Sequence, residues 1–274
     1  RRANGAAEQT TDHGPSESAM LTGELDGPRN SASLTTAFTI EHNTLLIDLG
    51  KRRTVLSSAP RGGGISRVRY VLNHQVQGDP IIGQPQVSPC TWEDPARYLG
   101  RVAMRLGVDS KCVALMTAVP MEQLVVLREE AEGIWLEGFF TVGVSNAVRA
   151  GERVSIGEDR VKALGPGTIN IILVTSARLA IPAMVGAVQV ATESKAATLL
   201  SERVPSWTGR KEATGTGTDA IVIVSGDGPA RRYSGTHTAI GEMIGRLVGQ
   251  GVLEGLVRYR RWASRLSADK RLSR

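Results

Sequence analysis

The last third of the chain narrows the choice of folds most. Ile169–Val174 is a fully apolar run, and Ala220–Val224 is another. Between them, a helical stretch is predicted to begin near Pro182, which suits a first turn, and to continue through Ala191 to about Leu200. Two short buried strands joined by a helix of that length call for a crossover between parallel neighbours, because a tight hairpin can only join antiparallel ones. A second helix is expected after Gly235, with apolar residues at Ile240, Met243, Ile244, Leu247, Val248, Val252, Leu256 and Val257. Glycines 241, 245, 249, 251 and 255 interrupt it. Each weakens a helix by about 1 kcal/mol, so tertiary contacts must hold it, and the small residues admit close approach.

Upstream, strand signals occur at Thr44–Leu49, Arg53–Ser57 and Val68–Leu72, separated by Gly50 and by the Pro60–Gly64 loop. Pro95 to Leu106 has helical spacing, with Asp94 placed to cap it. Val113–Val119 and a long stretch from Leu124 to Ser145 read as β-structure. The expected class is therefore α/β (α+β), a mixed β-sheet with helices packed on it and one βαβ crossover in the C-terminal third. Residues 1–33 are polar, without apolar periodicity, and read as a disordered segment ahead of one domain over 34–257.

The formal charge of +6 invites a nucleic-acid or membrane reading, but its location argues against both. Residues 258–274 hold seven cations and one acid, so the preceding body is neutral. This basic C-terminal tail is expected to be a solvated helix end or frayed tail, with neither nucleic acid nor membrane as partner. Cys90 and Cys112 lie too far apart for a metal knuckle or redox pair, and no run of ~18 apolar residues exists. A reducing, cytoplasmic setting is the expectation.

Phosphate-loop, His-Glu-x-x-His and Gly-x-Ser-x-Gly motifs are absent. The chemistry must come from polar residues at the ends of apolar runs: Asn73 and His74, Ser145 and Asn146, Asn170, Glu193 and Lys195, the Ala213–Asp219 loop and Gly235-Thr-His237. Taken singly, His74 and His237 also suit capping or surface roles, and Glu193 and Lys195, two residues apart, suit a solvated helix face. The Thr-Gly repeat of 214–217 suits a turn, or a ring of backbone N–H groups for an anion.

In combination these segments resemble the adenosylcobinamide amidohydrolase family. The resemblance runs from Val55-Leu-Ser-Ser-Ala-Pro60 with Gly62-Gly-Gly64, through Asn73-His-Gln-Val76, Leu115-Met-Thr-Ala118, Val144-Ser-Asn-Ala147 and Gly167-Thr-Ile-Asn-Ile-Ile-Leu173. It ends with Ala191-Thr-Glu-Ser-Lys-Ala196, Ala213-Thr-Gly-Thr-Gly-Thr-Asp219 and Gly235-Thr-His-Thr-Ala-Ile-Gly-Glu242, its most specific blocks. Departures are small: Ser176 stands where the family commonly has Asn, and Ser194 where it has Ala. The resemblance implies an enzyme of cobalamin salvage. Such enzymes cut the amide between the corrin propionyl arm and aminopropanol, giving adenosylcobyric acid. It implies a corrinoid partner and no cofactor beyond the cobalt that the substrate carries.

Roles follow from the chemistry of an unactivated amide, which needs a base, oxyanion donors and an acid for the leaving amine. His237, at a helix start, is the first choice for base and acid, with Asp219 to orient it. Glu193 is the rival base, with Lys195 pairing its charge. Asn146 and Asn170 are candidate oxyanion donors or anchors for the corrin amides, and Asn73, His74, Lys195 and Thr216 complete the expected substrate-binding set. No metal ligand set is expected. A self-processing N-terminal-nucleophile hydrolase or acyltransferase and a non-catalytic corrinoid carrier are the alternatives. The glycine-lined final helix suits a subunit contact as well as a core contact, so a homo-oligomer stays open.

Overall fold

The computed structural model describes residues 34–76, 94–108, 111–153, 167–209 and 211–272. The 1–33 segment and Cys90 lie outside the described residues. An N-terminal hairpin joins β1 (Ala37–Glu41) to β2 (Thr44–Ser57) through His42 and Asn43, both at positive φ. Two left-handed residues make the turn whose twist matches the flanking strands. The two strand signals at 44–49 and 53–57 belong to one long strand, β2; its pairing with β3 (Gly64–Gln75) slips between Asp48 and Arg53, where Gly50 takes a φ of 74°. Helix α1 (Pro95–Arg105) starts as expected, with Arg97 N–H donating to the Asp94 carboxylate at 3.0 Å.

Beyond β4 (Cys112–Thr117), the long β-rich stretch resolves into β5 (Val125–Ala131) and β6 (Ile134–Val142), joined at Glu132 and Gly133, again both at positive φ. After the short β7 (Ala147–Val148) come β8 (Ile169–Thr175), β9 (Arg178–Leu179), α2 (Ile181–Ser201), β10 (Gly215–Thr216), β11 (Ala220–Val224), β12 (Ala230–Arg231) and α3 (Ala239–Leu272). Strands β8 and β11 pair in parallel, Ala220 opposite Asn170 through Val224 opposite Val174, with α2 between them in sequence. The predicted crossover is present. Thr238 starts α3 by accepting the Gly241 N–H at 3.1 Å. Helix α3 is continuous across residue 257, and Arg258 and Arg260 bind back onto the Leu124 carbonyl and Glu202.

The main sheet runs β4-β3-β2-β11-β8-β6-β5, with β1 added to the edge of β2. It is strongly curved. Asn73 on β3 donates to Thr141 on β6 at 3.0 Å, although β2, β11 and β8 stand between those strands. In a flat sheet that separation would be about 19 Å. The concave face encloses Leu45, Ile47, Val71, Leu115, Phe139, Ile172 and Val222. On the convex side, α2 and α3 cover β6, β8 and β11, while α1 covers β3 and β4 through Leu99 and Ala103.

The glycines of α3 divide by task. A Cβ on Gly251 would stand 2.5 Å from the Phe140 ring and one on Gly255 2.4 Å from Val142 Cγ2, so the helix lies directly on β6 there. Gly245 and Gly249 instead face Val190, Ser194 and Thr198 of α2. No described helix is long and apolar enough to cross a membrane.

Candidate active site

Asp219 occupies the turn between β10 and β11, beside the start of β8. Its Oδ1 accepts from Ile169 N–H at 3.0 Å and from the Thr216 hydroxyl at 2.5 Å; its Oδ2 accepts from Thr216 N–H at 3.0 Å and from the Lys195 ammonium. A carboxylate offers about four lone-pair sites, and all four have a donor. Lys195 reaches this point from the middle of α2 with a side chain only 9% exposed, and the Asp219 side chain is 12% exposed. The pair is thus held away from bulk water, where a Coulomb attraction is far stronger than on the surface. Buried charge of this kind persists in a fold only when paired.

The neighbouring segments close around it. Thr216 on β10 pairs with Ala147 on β7, which brings the Val144–Asn146 turn alongside. Thr168 donates to the Thr218 carbonyl at 2.9 Å, tying the start of β8 to the same loop. Gly167 sits where a Cβ would fall 2.7 Å from both Asn146 Oδ1 and Ser145 Oγ, so only glycine lets these residues gather. Asn146 Oδ1 is buried without a hydrogen-bond partner among the described residues. Buried polar atoms are normally paired, and an open acceptor beside a polar cluster is a place for a substrate N–H or a water.

The structure brings together Lys195, Asp219, Thr216 and Asn146, four of the expected residues, with Ser145, Gly167, Thr168 and Thr218 beside them. Of that second group, Ser145 and Thr218 fall within stretches the sequence already points to, without a role assigned to either; Thr168 carried a weaker signal, because it lies just ahead of a strand, where periodicity says nothing of direction.

Other expectations need correcting. Asp219 does not orient His237. Ser234 donates to the Ala183 carbonyl at 2.5 Å, which fixes the turn before His237 against the first turns of α2, twelve residues from Lys195 along the helix. At 1.5 Å per residue that is about 18 Å, with β11 running from one end to the other. His237 is exposed, and so is Glu193. Lys195 pairs with Asp219 rather than Glu193, because residues two apart on a helix point to different faces.

Asn73 and Asn170 lie deeper, each about 1% exposed. Asn170 Nδ2 donates to Asn73 Oδ1 at 2.9 Å and to the Met116 carbonyl at 2.8 Å, so both its hydrogens are engaged inside the protein and none is left for an oxyanion. His74 faces the opposite side of β3. Its Nδ1 lies 2.8 Å from Thr44 Oγ1 and its Nε2 3.0 Å from the Tyr98 hydroxyl, which occupies the ring with α1 rather than a ligand. Burial, and secondarily the charge of Arg105, pushes its pKa below 6.5. An open cleft of about 590 Å³ lies between the Pro60–Gly62 loop and Lys111; none of the expected site residues lines it. Among the described residues, no three His, Cys, Asp or Glu side chains gather as a metal-ligand set.

Comparison with known proteins bears on what this cluster is for. The family model of adenosylcobinamide amidohydrolase matches residues 29–264, which includes every segment of the site. The chain belongs to that family. An adenosylcobinamide amidohydrolase of Methanosarcina mazei is 33% identical over 206 residues, covering 71% of this chain and 86% of its own. An uncharacterized protein of Methanocaldococcus jannaschii is 33% identical over 233 residues, covering 80% and 87% respectively. Among solved structures, a protein from Pyrococcus horikoshii OT3 aligns over 81% of this chain and 78% of its own, with a TM-score of 0.37 and 11% identity. As a member of the adenosylcobinamide amidohydrolase family, the chain carries Lys195 and Asp219 in the blocks Ala191–Ala196 and Ala213–Asp219 that mark the resemblance most specifically.

Proposed function

We propose that this protein hydrolyses the amide joining the corrin propionyl arm to aminopropanol in adenosylcobinamide, releasing adenosylcobyric acid for cobalamin salvage, and that the Lys195–Asp219 cluster is where it does so. Membership of the family supports the reaction class. The observation that supports the place is the meeting, around one buried ion pair, of the four segments that contribute Asn146, Gly167, Lys195 and Asp219.

The parts match what amide hydrolysis requires. Lys195 has three N–H donors and gives one to Asp219, leaving donors for the negative charge that grows on the amide oxygen. Asn146 Oδ1 is positioned to accept the N–H of the scissile amide or to orient a water. Asp219 fixes the ammonium and the Thr216–Thr218 turn in one geometry, so the donors need no reorganisation as charge develops. Cobalt belongs to the substrate in this reading and has no part in the bond cleavage.

The test is to incubate the purified chain with adenosylcobinamide, without added metal, and follow the corrinoid by mass spectrometry. Adenosylcobyric acid and aminopropanol are expected from the wild type and from His237→Ala. Lys195→Ala is expected to be slowed by about 100-fold or more, the scale lost with an oxyanion donor. Cobinamide that stays intact with the wild type, with complete corrinoids supplied in parallel, would remove the reading and leave a corrinoid carrier in its place.

A further inference from the structure

We propose that Thr216 is the nucleophile of this site and that hydrolysis passes through a covalent ester between the Thr216 hydroxyl and the corrin propionyl group. The proposal rests on the amidohydrolase reading above and adds to it the identity of the attacking atom.

A nucleophilic hydroxyl is recognised by a base within hydrogen-bond reach and a third group that orients the base. Thr216 Oγ1 donates to Asp219 Oδ1 at 2.5 Å, and the other oxygen of the same carboxylate is held by Lys195. A Thr-to-Asp contact three residues apart also occurs as a local turn. Two features exceed what a turn needs. The carboxylate is anchored from outside the loop, by Lys195 of α2 and by the Ile169 N–H of β8. The hydroxyl belongs to a half-buried residue, next to the Val144–Asn146 turn that carries the unpartnered Asn146 oxygen. Gly215, immediately before it, has Asp219 Oδ2 and Lys195 Nζ within 2.6 and 3.0 Å of where a Cβ would stand, so glycine permits the ion pair to form beside the nucleophile.

The steps balance. Thr216 Oγ1 bonds to the amide carbonyl carbon as its proton passes to Asp219 Oδ1, and the carbonyl π pair moves onto oxygen, where the Lys195 ammonium holds it. The oxyanion collapses, the C–N bond breaks, and Asp219 returns its proton to the departing nitrogen, releasing aminopropanol. Water then attacks the ester, gives a proton to Asp219, and expels Thr216, which recovers that proton. No metal or second substrate is consumed.

The wild-type enzyme is mixed with adenosylcobinamide, quenched in acid at short times, and examined by intact mass and peptide mapping; parallel reactions contain hydroxylamine, which captures an acyl ester as a hydroxamate. The expected result is a corrinoid hydroxamate, and an adduct on the peptide containing Thr216 where the ester accumulates. Thr216→Ser is expected to keep turnover within about tenfold and to form the same ester, while Thr216→Ala loses at least about 100-fold. An ester mapped to Ser145 or another residue overturns the proposal. So does a Thr216→Ala protein whose turnover stays within about threefold of wild type. A wild type that leaves cobinamide intact overturns the amidohydrolase reading and this proposal together, whereas hydrolysis with no hydroxamate and a fully active Thr216→Ala removes only the covalent step.

Discussion

At Asp219, four donors from three elements meet on one carboxylate, and taking away the charge on either side leaves the other stranded. Asp219→Asn leaves the Lys195 ammonium buried without an opposite charge, a loss of about 3–5 kcal/mol in comparable pairs. Turnover on adenosylcobinamide should fall at least about 100-fold and thermal midpoint should drop; a variant with unchanged melting and activity would mean the pair is idle. His74 makes a different prediction. Its pKa in the folded protein lies below 6.5, so the unfolded chain takes up the proton first as pH falls. The stability it contributes is complete above pH about 6.5 and is lost progressively below it. Urea midpoints at pH 7.5 and 5.0 should therefore fall more steeply for wild type than for His74→Gln, which cannot titrate. The sequence already pointed to Lys195, Asp219, Thr216 and Asn146 as chemically interesting: Asn146 and the Thr216–Asp219 loop lie beside apolar runs, and Lys195 is a charge on the long helix between two of them. It did not pair them, because which end of a strand meets which helix turn depends on packing. Asp219 and His237 are 18 residues apart in sequence, yet β11 separates them, while Lys195, 24 residues away, is in contact.

Among the elements, α3 shows how glycine serves opposite ends along one helix. Gly245→Ala adds a methyl 3.8 Å from Val190, an ordinary contact, and should stabilise the protein by about 0.5–1 kcal/mol through helix propensity. Gly251→Ala places the same methyl 2.5 Å from the Phe140 ring and should destabilise by about 1–3 kcal/mol despite the same propensity gain. Thermal denaturation of the two variants decides it, and shifts of the same sign would contradict the division. The apolar spacing made α2, α3 and the β8–β11 crossover legible from residues alone. Less legible was the continuity of β2, where Gly50 looks like a break and is a register slip within a strand. The turn at Glu132–Gly133 falls inside a stretch that reads as β-structure from Leu124 to Ser145, though the Glu129-Glu-Ala-Glu-Gly133 run, poor in β-formers, was its available signal.

Across the whole molecule, the curl of the sheet is fixed by polar contacts as well as by oil. Asn73→Ala takes away an acceptor from Asn170 and a donor from Thr141, and should cost about 1–3 kcal/mol while leaving kcat near wild type, since both amides are buried and engaged with partners inside the protein. A large loss of kcat with an unchanged melting temperature would instead return Asn73 to the binding role expected from the sequence. The curvature itself had no signature in the sequence, because alternation reports which side of a strand is apolar and not how far the sheet bends. The bridge from Asn73 to Asn170 spans 97 residues, and the ion pair beside it joins two further segments. Contacts so distant along the chain form slowly, after the local hairpins and helices are in place. The cluster around Asp219, proposed above as the site of hydrolysis, itself joins Lys195 at 24 residues' separation and Ile169 at 50, and so belongs with the later features of refolding: recovery of turnover should lag behind recovery of helical circular dichroism, and a chain with most of its secondary structure regained should still be catalytically silent.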